Sequence, residues 1–245
     1  HLQYQHYYVM PKLSDILLTG AETMHFFDTP LFLTRSNPLS LEQLAWKRIF
    51  DLLLCIILLI PASPFMLFTA LAIKLCDGGP ILYKQVRCTT NGREFHIYKF
   101  RSMVVDAEKD GVARLATKED SRITPVGKFI RATRLDELPQ LFNILKGDMS
   151  FVGPRPERPV IIEKYVKDIP EFVYRTKVKA GLTGYAQIFG KYNTTPYDKL
   201  KLDTYYIEHY SFGLDLKILI QTVKIVFRPE ATEGIDSGKT TAGRK

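Results

Sequence analysis

Residues 52–73, LLLCIILLIPASPFMLFTALAI, form an uncharged run of 22 residues, and no other feature restricts the fold as much. A run of that length and composition is a transmembrane candidate. It begins about fifty residues into the chain and lacks a convincing cleavage site, so it is not a secretory signal peptide. Its centre is Pro61-Ala62-Ser63-Pro64. Each proline lacks an amide donor and disfavours helix just before it. The halves, 52–60 and 65–73, each reach about 13 Å as helix, less than half of a hydrocarbon core of about 30 Å. Lys47 and Arg48 precede the run, and Lys74, Lys84 and Arg87 follow it. The positive-inside tendency puts both flanks on one side. From the residues alone, a proline-kinked span and a helix–break–helix that enters one leaflet and returns are equally supported. In the second, the Ser63 hydroxyl is expected to bond a carbonyl freed by the break. A soluble core helix is disfavoured, because the run has no polar stripe to face water.

The rest of the chain is basic. Net charge is +8, and residues 1–46 carry two basic against four acidic side chains, which leaves +10 on the remainder. Such an excess predicts an anionic partner: phosphates, nucleic acid or anionic lipid. An apolar content of 46% excludes disorder as the main state. Cys55, Cys76 and Cys88 have no CxxC spacing, which excludes a disulfide scaffold and a cysteine zinc cluster. His96 and His209 have no partner at metal-ligand spacing, and there is no Walker A loop, GxGxxG or nucleophile elbow.

The pattern predicts an α/β, mostly helical fold: the membrane segment plus a compact cytosolic domain with a small β-hairpin and amphipathic interfacial helices. Residues 1–46 read as a remnant of an upstream region or an arm, 47–233 as the membrane-anchored catalytic domain, and 234–245 as a polar tail. Strands are expected at 81–86 and 94–101 around Asn91-Gly92, and a short helix at 103–110. Thr124-Pro125 starts a helix to about residue 134. Asp136 is expected to cap the next, which Gly147 stops. Further helices are read at 160–167, 196–209 and 214–227, the last with Leu216, Ile220, Val223 and Phe227 on one face.

The chemistry that remains is that of carboxylates and basic residues. Asp136-Glu137 follows Arg131 and Arg134 at a helix junction. A carboxylate at a helix N-terminus beside arginines is held ionised, fit to be a nucleophile or a Mg²⁺ ligand. The same residues also read as an ordinary cap with a first-turn glutamate. Lys99 and Arg101 end a strand, and Arg155 lies between Pro154 and Pro156 in a stiff loop suited to bidentate phosphate binding.

Together the motifs KRIFD, the run broken at Ser63-Pro64, GGPILYKQ, KFRSM, DSRITPVGKFIR, LDELPQLFNILKGDMSFVGPRP and KAGLTGYAQIFGKYN resemble the bacterial sugar transferase family, the monotopic phosphoglycosyl transferases. The likeness covers residues 47 to 228. It implies a re-entrant helix broken at Ser63-Pro64 and an Asp136-Glu137 dyad that works with Mg²⁺. It also implies phosphate contacts from Arg131 and the Pro-Arg-Pro loop at Arg155; Lys99 and Arg101, by their place at the strand end, are weaker candidates for the same surface. Glu157 and Arg158 receive no role. The implied reaction moves a sugar-1-phosphate from a UDP-sugar to polyprenyl (undecaprenyl) phosphate, through a covalent adduct on the aspartate, with release of UMP. UDP-glucose and UDP-galactose lead as donors by family breadth. The expected location is the cytosolic face of the bacterial inner membrane, in its inner leaflet, as the first membrane step of polysaccharide or glycoconjugate assembly. A homodimer is compatible with the amphipathic helix at 214–227, and no nucleic acid partner is expected. The competing readings are a membrane-tethered basic module that binds anionic lipid or nucleic acid without catalysis, and a scaffold subunit with a dead site.

Overall fold

The computed structural model describes residues 11–26, 29–33, 39–107, 120–190 and 194–226. Its organising element is one long apolar helix. After a short helix α1 (Leu13–Thr19) and a two-stranded antiparallel hairpin, β1 (Glu22–Phe26) and β2 (Thr29–Leu33), helix α2 runs from Leu41 to Asp77. Ser40 starts α2 with a capping box: its hydroxyl accepts from Gln43 N–H and the Gln43 side chain accepts from Ser40 N–H. Gly78, at φ 71°, ends it in the left-handed conformation that favours glycine.

The expected interruption at 61–64 is not seen: Pro61 and Pro64 lie inside the helix. Pro64 leaves the Ile60 carbonyl without its backbone donor, and the Ser63 hydroxyl donates to that carbonyl at 2.8 Å. The helix therefore passes its prolines with one of the two orphaned acceptors satisfied from within. Among the described residues, α2 alone is long and apolar enough to cross a membrane.

A single stripe of α2 faces the rest of the molecule on both sides of the prolines. Lys47, Asp51, Cys55, Thr69 and Ile73 are buried, and Leu59, Ala62, Met66 and Ala70 between them are packed against neighbours. The spacing of three or four residues is one helix face. The opposite face exposes Leu53, Ile56, Ile57, Ile60, Phe65, Leu67, Phe68 and Leu71. Polar locks fix the N-terminal half. Lys47 Nζ lies 2.5 Å from Asp215 Oδ2, Asp51 Oδ1 accepts from Ser150 Oγ and Phe151 N at 3.1 Å, and Arg48 donates to the carbonyls of Ile144 and Leu145. Asp77 at the far end is held by the Arg101 guanidinium.

Strands β3 (Leu82–Cys88) and β4 (Glu94–Phe100) pair antiparallel around the Asn91-Gly92 turn. Residue 103 is not helical as expected: Met103 bridges Ile123, and 102–104 lie against 122–124 through Thr124 N–H to Ser102 O and Val104 N–H to Arg122 O. Backbone bonds to 122–124 hold the segment extended, in place of a short helix that is costly to nucleate. Helix α3 (Pro125–Ala132) starts at Thr124, whose hydroxyl accepts from Gly127 N–H at 2.9 Å. Helix α4 (Gln140–Lys146) ends at Gly147, φ 88°. It is followed by β5 (Ser150–Val152), α5 (Pro159–Asp168), a 3₁₀ helix (Pro170–Lys177), β6 (Gly181–Thr183), α6 (Tyr185–Phe189), α7 (Pro196–Glu208) and α8 (Phe212–Val226). β5 and β6 are parallel, and Gly153 and Gly181 let them approach closely: a side-chain carbon on Gly181 would lie 2.1 Å from Gly153 N.

Three apolar clusters hold these elements. The main one joins α2, α4, β4, β5, α7 and α8 around Cys55, Phe95, Ile144, Met149, Tyr206 and Ile218. A second seats Leu13 of α1 on Phe172 and Leu200, so the segment before α2 packs on α7. A third joins the C-terminal half of α2 to Phe100 and Ile130. In α8, Ile218 and Asp215 face inward, while Leu216, Ile220 and Val223 are exposed. Its apolar stripe points away from the domain. Phe227, residues 108–119, which include the end of the helix expected at 103–110, and residues 234–245 lie outside the described residues.

Candidate active site

Asp136 and Glu137 sit in a tight 3₁₀ turn, Leu135–Glu137, between α3 and α4. Asp136 is therefore not the cap of α4, because Pro139 occupies that position and Leu138 N–H closes the turn onto Leu135 O. The proline supplies a ready φ but no donor, which shortens the helix from its start. Arg134, just before the turn, is at φ 60°. A non-glycine residue held there costs about 1–3 kcal/mol, which the surroundings must offset. They do so through Leu135 and Leu138, which pack with Met66, Ala70 and Ile73 of α2 and with Phe100 and Ile130. The two leucines thus seat the turn on the apolar helix, with the two acids between them.

Lys99 comes to the dyad from β4. It shares the alternating face of Phe95 and Ile97, both buried, which aims it inward. Its ammonium donates to Glu137 Oε1 at 2.8 Å. Arg155 Nη2 stands 3.7 Å from the same oxygen. Burial would raise the Glu137 carboxyl, but Lys99 first and then Arg155 overcome it and hold it at about 2. Asp136 differs. Among the described residues, no side chain makes a hydrogen bond or ion pair to it. Burial, and next the adjacent Glu137 charge, push its carboxyl up to about 6, against the pull of Lys99, Arg131 and Arg134. The arginines do not fix its ionisation as strongly as their sequence positions suggest. Their charges act at a distance, while desolvation acts on the group itself.

The structure brings Asp136, Glu137, Lys99 and Arg155 together, with Arg131 and Arg134 acting on Asp136 by charge. It does not bring in Arg101. That guanidinium is buried, pairs with Asp77 and donates from Nε to Pro80 O at 2.6 Å, so its fork fastens the end of α2. Ser63 and Pro64 lie in the middle of α2, where the Ser63 hydroxyl donates to Ile60 O. Asn143 is a residue that sequence reasoning missed. Its Oδ1 accepts from Tyr98 N–H at 3.0 Å and its Nδ2 donates to His96 O at 2.8 Å. It thereby closes the free edge of β4 and ties α4, which follows the dyad, to the strand that carries Lys99. Nothing in its spacing signals this, since its partners lie 45 and 47 residues away in the chain.

The dyad's asymmetry has chemical content. A carboxylate committed to two cations is a poor nucleophile, whereas an uncommitted one that resists ionisation is more basic once ionised. Among the described residues there is no group of three or more His, Cys, Asp or Glu side chains to cage a metal ion.

Comparison with known proteins supports the motif reading. The family profile described as bacterial sugar transferase matches residues 42–229. A UDP-N-acetylgalactosamine-undecaprenyl-phosphate N-acetylgalactosaminephosphotransferase from Aeromonas hydrophila is 43% identical over 222 residues, 89% of this chain and 52% of that protein. A UDP-glucose:undecaprenyl-phosphate glucose-1-phosphate transferase from Klebsiella pneumoniae is 43% identical over 199 residues, 79% of this chain and 42% of that protein. An undecaprenyl-phosphate galactose phosphotransferase from Salmonella typhimurium is 38% identical over 237 residues, 90% of this chain and 49% of that protein. The chain thus spans about half the length of these relatives, which are named for three different sugars.

Proposed function

This chain belongs to the bacterial sugar transferase family, and we propose that it moves a sugar-1-phosphate from a UDP-sugar to undecaprenyl phosphate by way of a covalent adduct on Asp136. The observation that carries the proposal is the division within the dyad: Glu137 is bound by Lys99 and Arg155, while Asp136 beside it has no side-chain partner among the described residues, on a turn seated against the apolar helix. In the first step a carboxylate oxygen of Asp136 attacks the β-phosphorus of the donor. The bond from that phosphorus to the bridging oxygen breaks, and UMP leaves with the electron pair. In the second step a phosphate oxygen of undecaprenyl phosphate attacks the same phosphorus. The acyl-phosphate bond breaks, Asp136 regains its carboxylate, and a polyprenyl-diphosphate sugar forms. A carboxylate nucleophile divides one difficult transfer into two easier ones.

The other residues follow from charge. The donor diphosphate is multiply anionic, and phosphoryl transfer is catalysed mainly by positioning and charge neutralisation. Arg155 and Lys99 keep Glu137 ionised and present donors beside the phosphorus, and Arg131 adds positive charge at the end of α3. Mg²⁺ takes one or two carboxylates and completes its shell with water and substrate phosphate oxygens, which fits a dyad without a third acid. Asp136 and Glu137 would hold it, and the ion would neutralise the diphosphate.

The lipid acceptor calls for a site at the bilayer surface. Support comes from the exposed apolar face of α2, opposite a stripe that contacts one domain from Lys47 to Ile73. A helix strapped at both ends to one domain keeps both ends on one side of a bilayer, which favours insertion into one leaflet, on the cytosolic face, over a span. The test of function is UMP release by detergent-solubilised protein with undecaprenyl phosphate, offered UDP-N-acetylgalactosamine, UDP-glucose and UDP-galactose. Release with one of these supports the reading, and silence with every UDP-sugar removes it.

A further inference from the structure

The loop Pro154-Arg155-Pro156-Glu157 is held in an unusual way. Its two prolines have no N–H, so it has few amides of its own with which to be fixed. Instead its four consecutive carbonyls are each captured by a different donor. Gly181 N–H takes Pro154 O at 2.9 Å, Arg175 Nη2 takes Arg155 O at 3.2 Å, Arg87 Nη1 takes Pro156 O at 3.0 Å, and Cys88 N–H takes Glu157 O at 3.0 Å. The two arginines also meet on one carboxylate. Arg175 Nη1 is 3.4 Å from Glu157 Oε1 and Arg87 Nη1 is 3.8 Å from Glu157 Oε2. Arg175 is 5% exposed, and its Nε and Nη2 donate to Asp203 Oδ2 of α7, itself 1% exposed, at 3.1 and 2.7 Å.

The ion pair with Asp203 uses only Nε and Nη2 of the Arg175 fork. Arg175 goes further, and reaches the backbone and the acid on either side of Pro156. We propose that Arg175, with Arg87 and through their shared Glu157, is a positioning residue that fixes where the Arg155 guanidinium stands beside Glu137. The planar fork is essential, because a lysine ammonium cannot address Asp203, Glu157 and the Arg155 carbonyl in three set directions. Displacing a reacting or binding group by about 1 Å can lower turnover about 100-fold. The inference rests on the reading of Arg155 as a donor-phosphate ligand, and Glu157 gains a role that its sequence position does not suggest.

A double-mutant cycle tests it, in the full chain, with UMP release as readout and melting temperature as the folding control. Arg175→Lys should lower kcat/KM for the UDP-sugar by about ten- to a hundredfold, mainly through KM. In an Arg155→Gln background, the same change should cost less than about twofold, because the arm it positions is already gone. Equal losses in both backgrounds would overturn the proposal and leave Arg175 a structural residue. Should Arg175→Lys not fold, Glu157→Gln is read in the same cycle, with the same two outcomes. Hydrogen exchange at the amides of Cys88 and Gly181 supplies a readout without turnover, and both should exchange faster in the lysine or glutamine variant. If the wild-type chain releases no UMP from any donor, the transferase reading falls. The clamp is then judged on exchange alone, and unchanged protection at both amides overturns it.

Discussion

Replacing Asp136 by asparagine should abolish transfer and at the same time make the protein more stable. The carboxyl is pushed from its ordinary 3.8 to about 6, by burial first and the Glu137 charge second. A tenfold change in proton affinity corresponds to about 1.4 kcal/mol, so ionised Asp136 costs the folded state up to about 3 kcal/mol at neutral pH. The sign follows from which state holds the proton longer. Above pH 6 both states are ionised and the folded one bears the full cost. As pH falls through 6 the folded state takes up its proton first and the cost fades. Below the unfolded value near 3.8 it is gone. Asparagine keeps the shape without the charge, so its benefit should be greatest at pH 7.5 and close to zero at pH 4. For a domain of this size, 3 kcal/mol corresponds to a melting shift of about 6–12 °C as an upper bound. Thermal unfolding of both proteins in one detergent, followed by the fluorescence of Trp46, measures it. A less stable asparagine variant, or an equal gain at both pH values, would refute the reasoning.

Three further outcomes follow from the same geometry. In the metal-free protein the Asp136 carboxyl should titrate above its ordinary value, and Glu137→Gln should move that midpoint lower, because the Glu137 charge is one reason Asp136 is raised; an unmoved midpoint in an NMR titration would contradict this. Chelation by EDTA should stop UMP release and added Mg²⁺ restore it, whereas full activity after exhaustive chelation would remove the ion from the account. For the membrane helix, exposed Cys76 and a cysteine placed by Ala45→Cys should be labelled from the same side of sealed vesicles, and labelling from opposite sides would establish a span. Pro64→Leu gives the Ile60 carbonyl back its amide donor but leaves the contacts of α2 with the domain in place, so the pair should still be labelled from one side.

Local features of the fold were legible in the chain, and those that depend on distant partners were not. Thr124-Pro125, Gly147 and the Asn91-Gly92 turn act through their own backbone chemistry, and each does in the structure what its residue type predicts. The Ser63 hydroxyl likewise finds its carbonyl within the same turn. Pro61 and Pro64 suggested interrupted helix because local propensity disfavours them. The stripe from Lys47 to Ile73, packed on the domain along its length, overrides that preference. For the site, the acids and their cationic neighbours stood out as a group, but the division of labour between Asp136 and Glu137 did not. It depends on Lys99 reaching across from β4, a contact between residues far apart in sequence. Arg101 carries the same charge two positions on and is turned to Asp77 instead. Asn143 and Arg175 resemble ordinary polar residues until their carbonyl partners are known.

The central claim is that Asp136 itself carries the sugar phosphate, and intact-protein mass spectrometry tests it most directly. The protein is incubated with Mg²⁺ and a UDP-sugar but no lipid acceptor. The account predicts a burst of UMP comparable to the amount of enzyme, a mass increase of one sugar phosphate localised to the peptide holding Asp136, and loss of both signals in Asp136→Asn. Addition of undecaprenyl phosphate should then discharge the adduct. UMP released only when the lipid is present, with no adduct on Asp136 at any time, would contradict the account and make the transfer a single direct step.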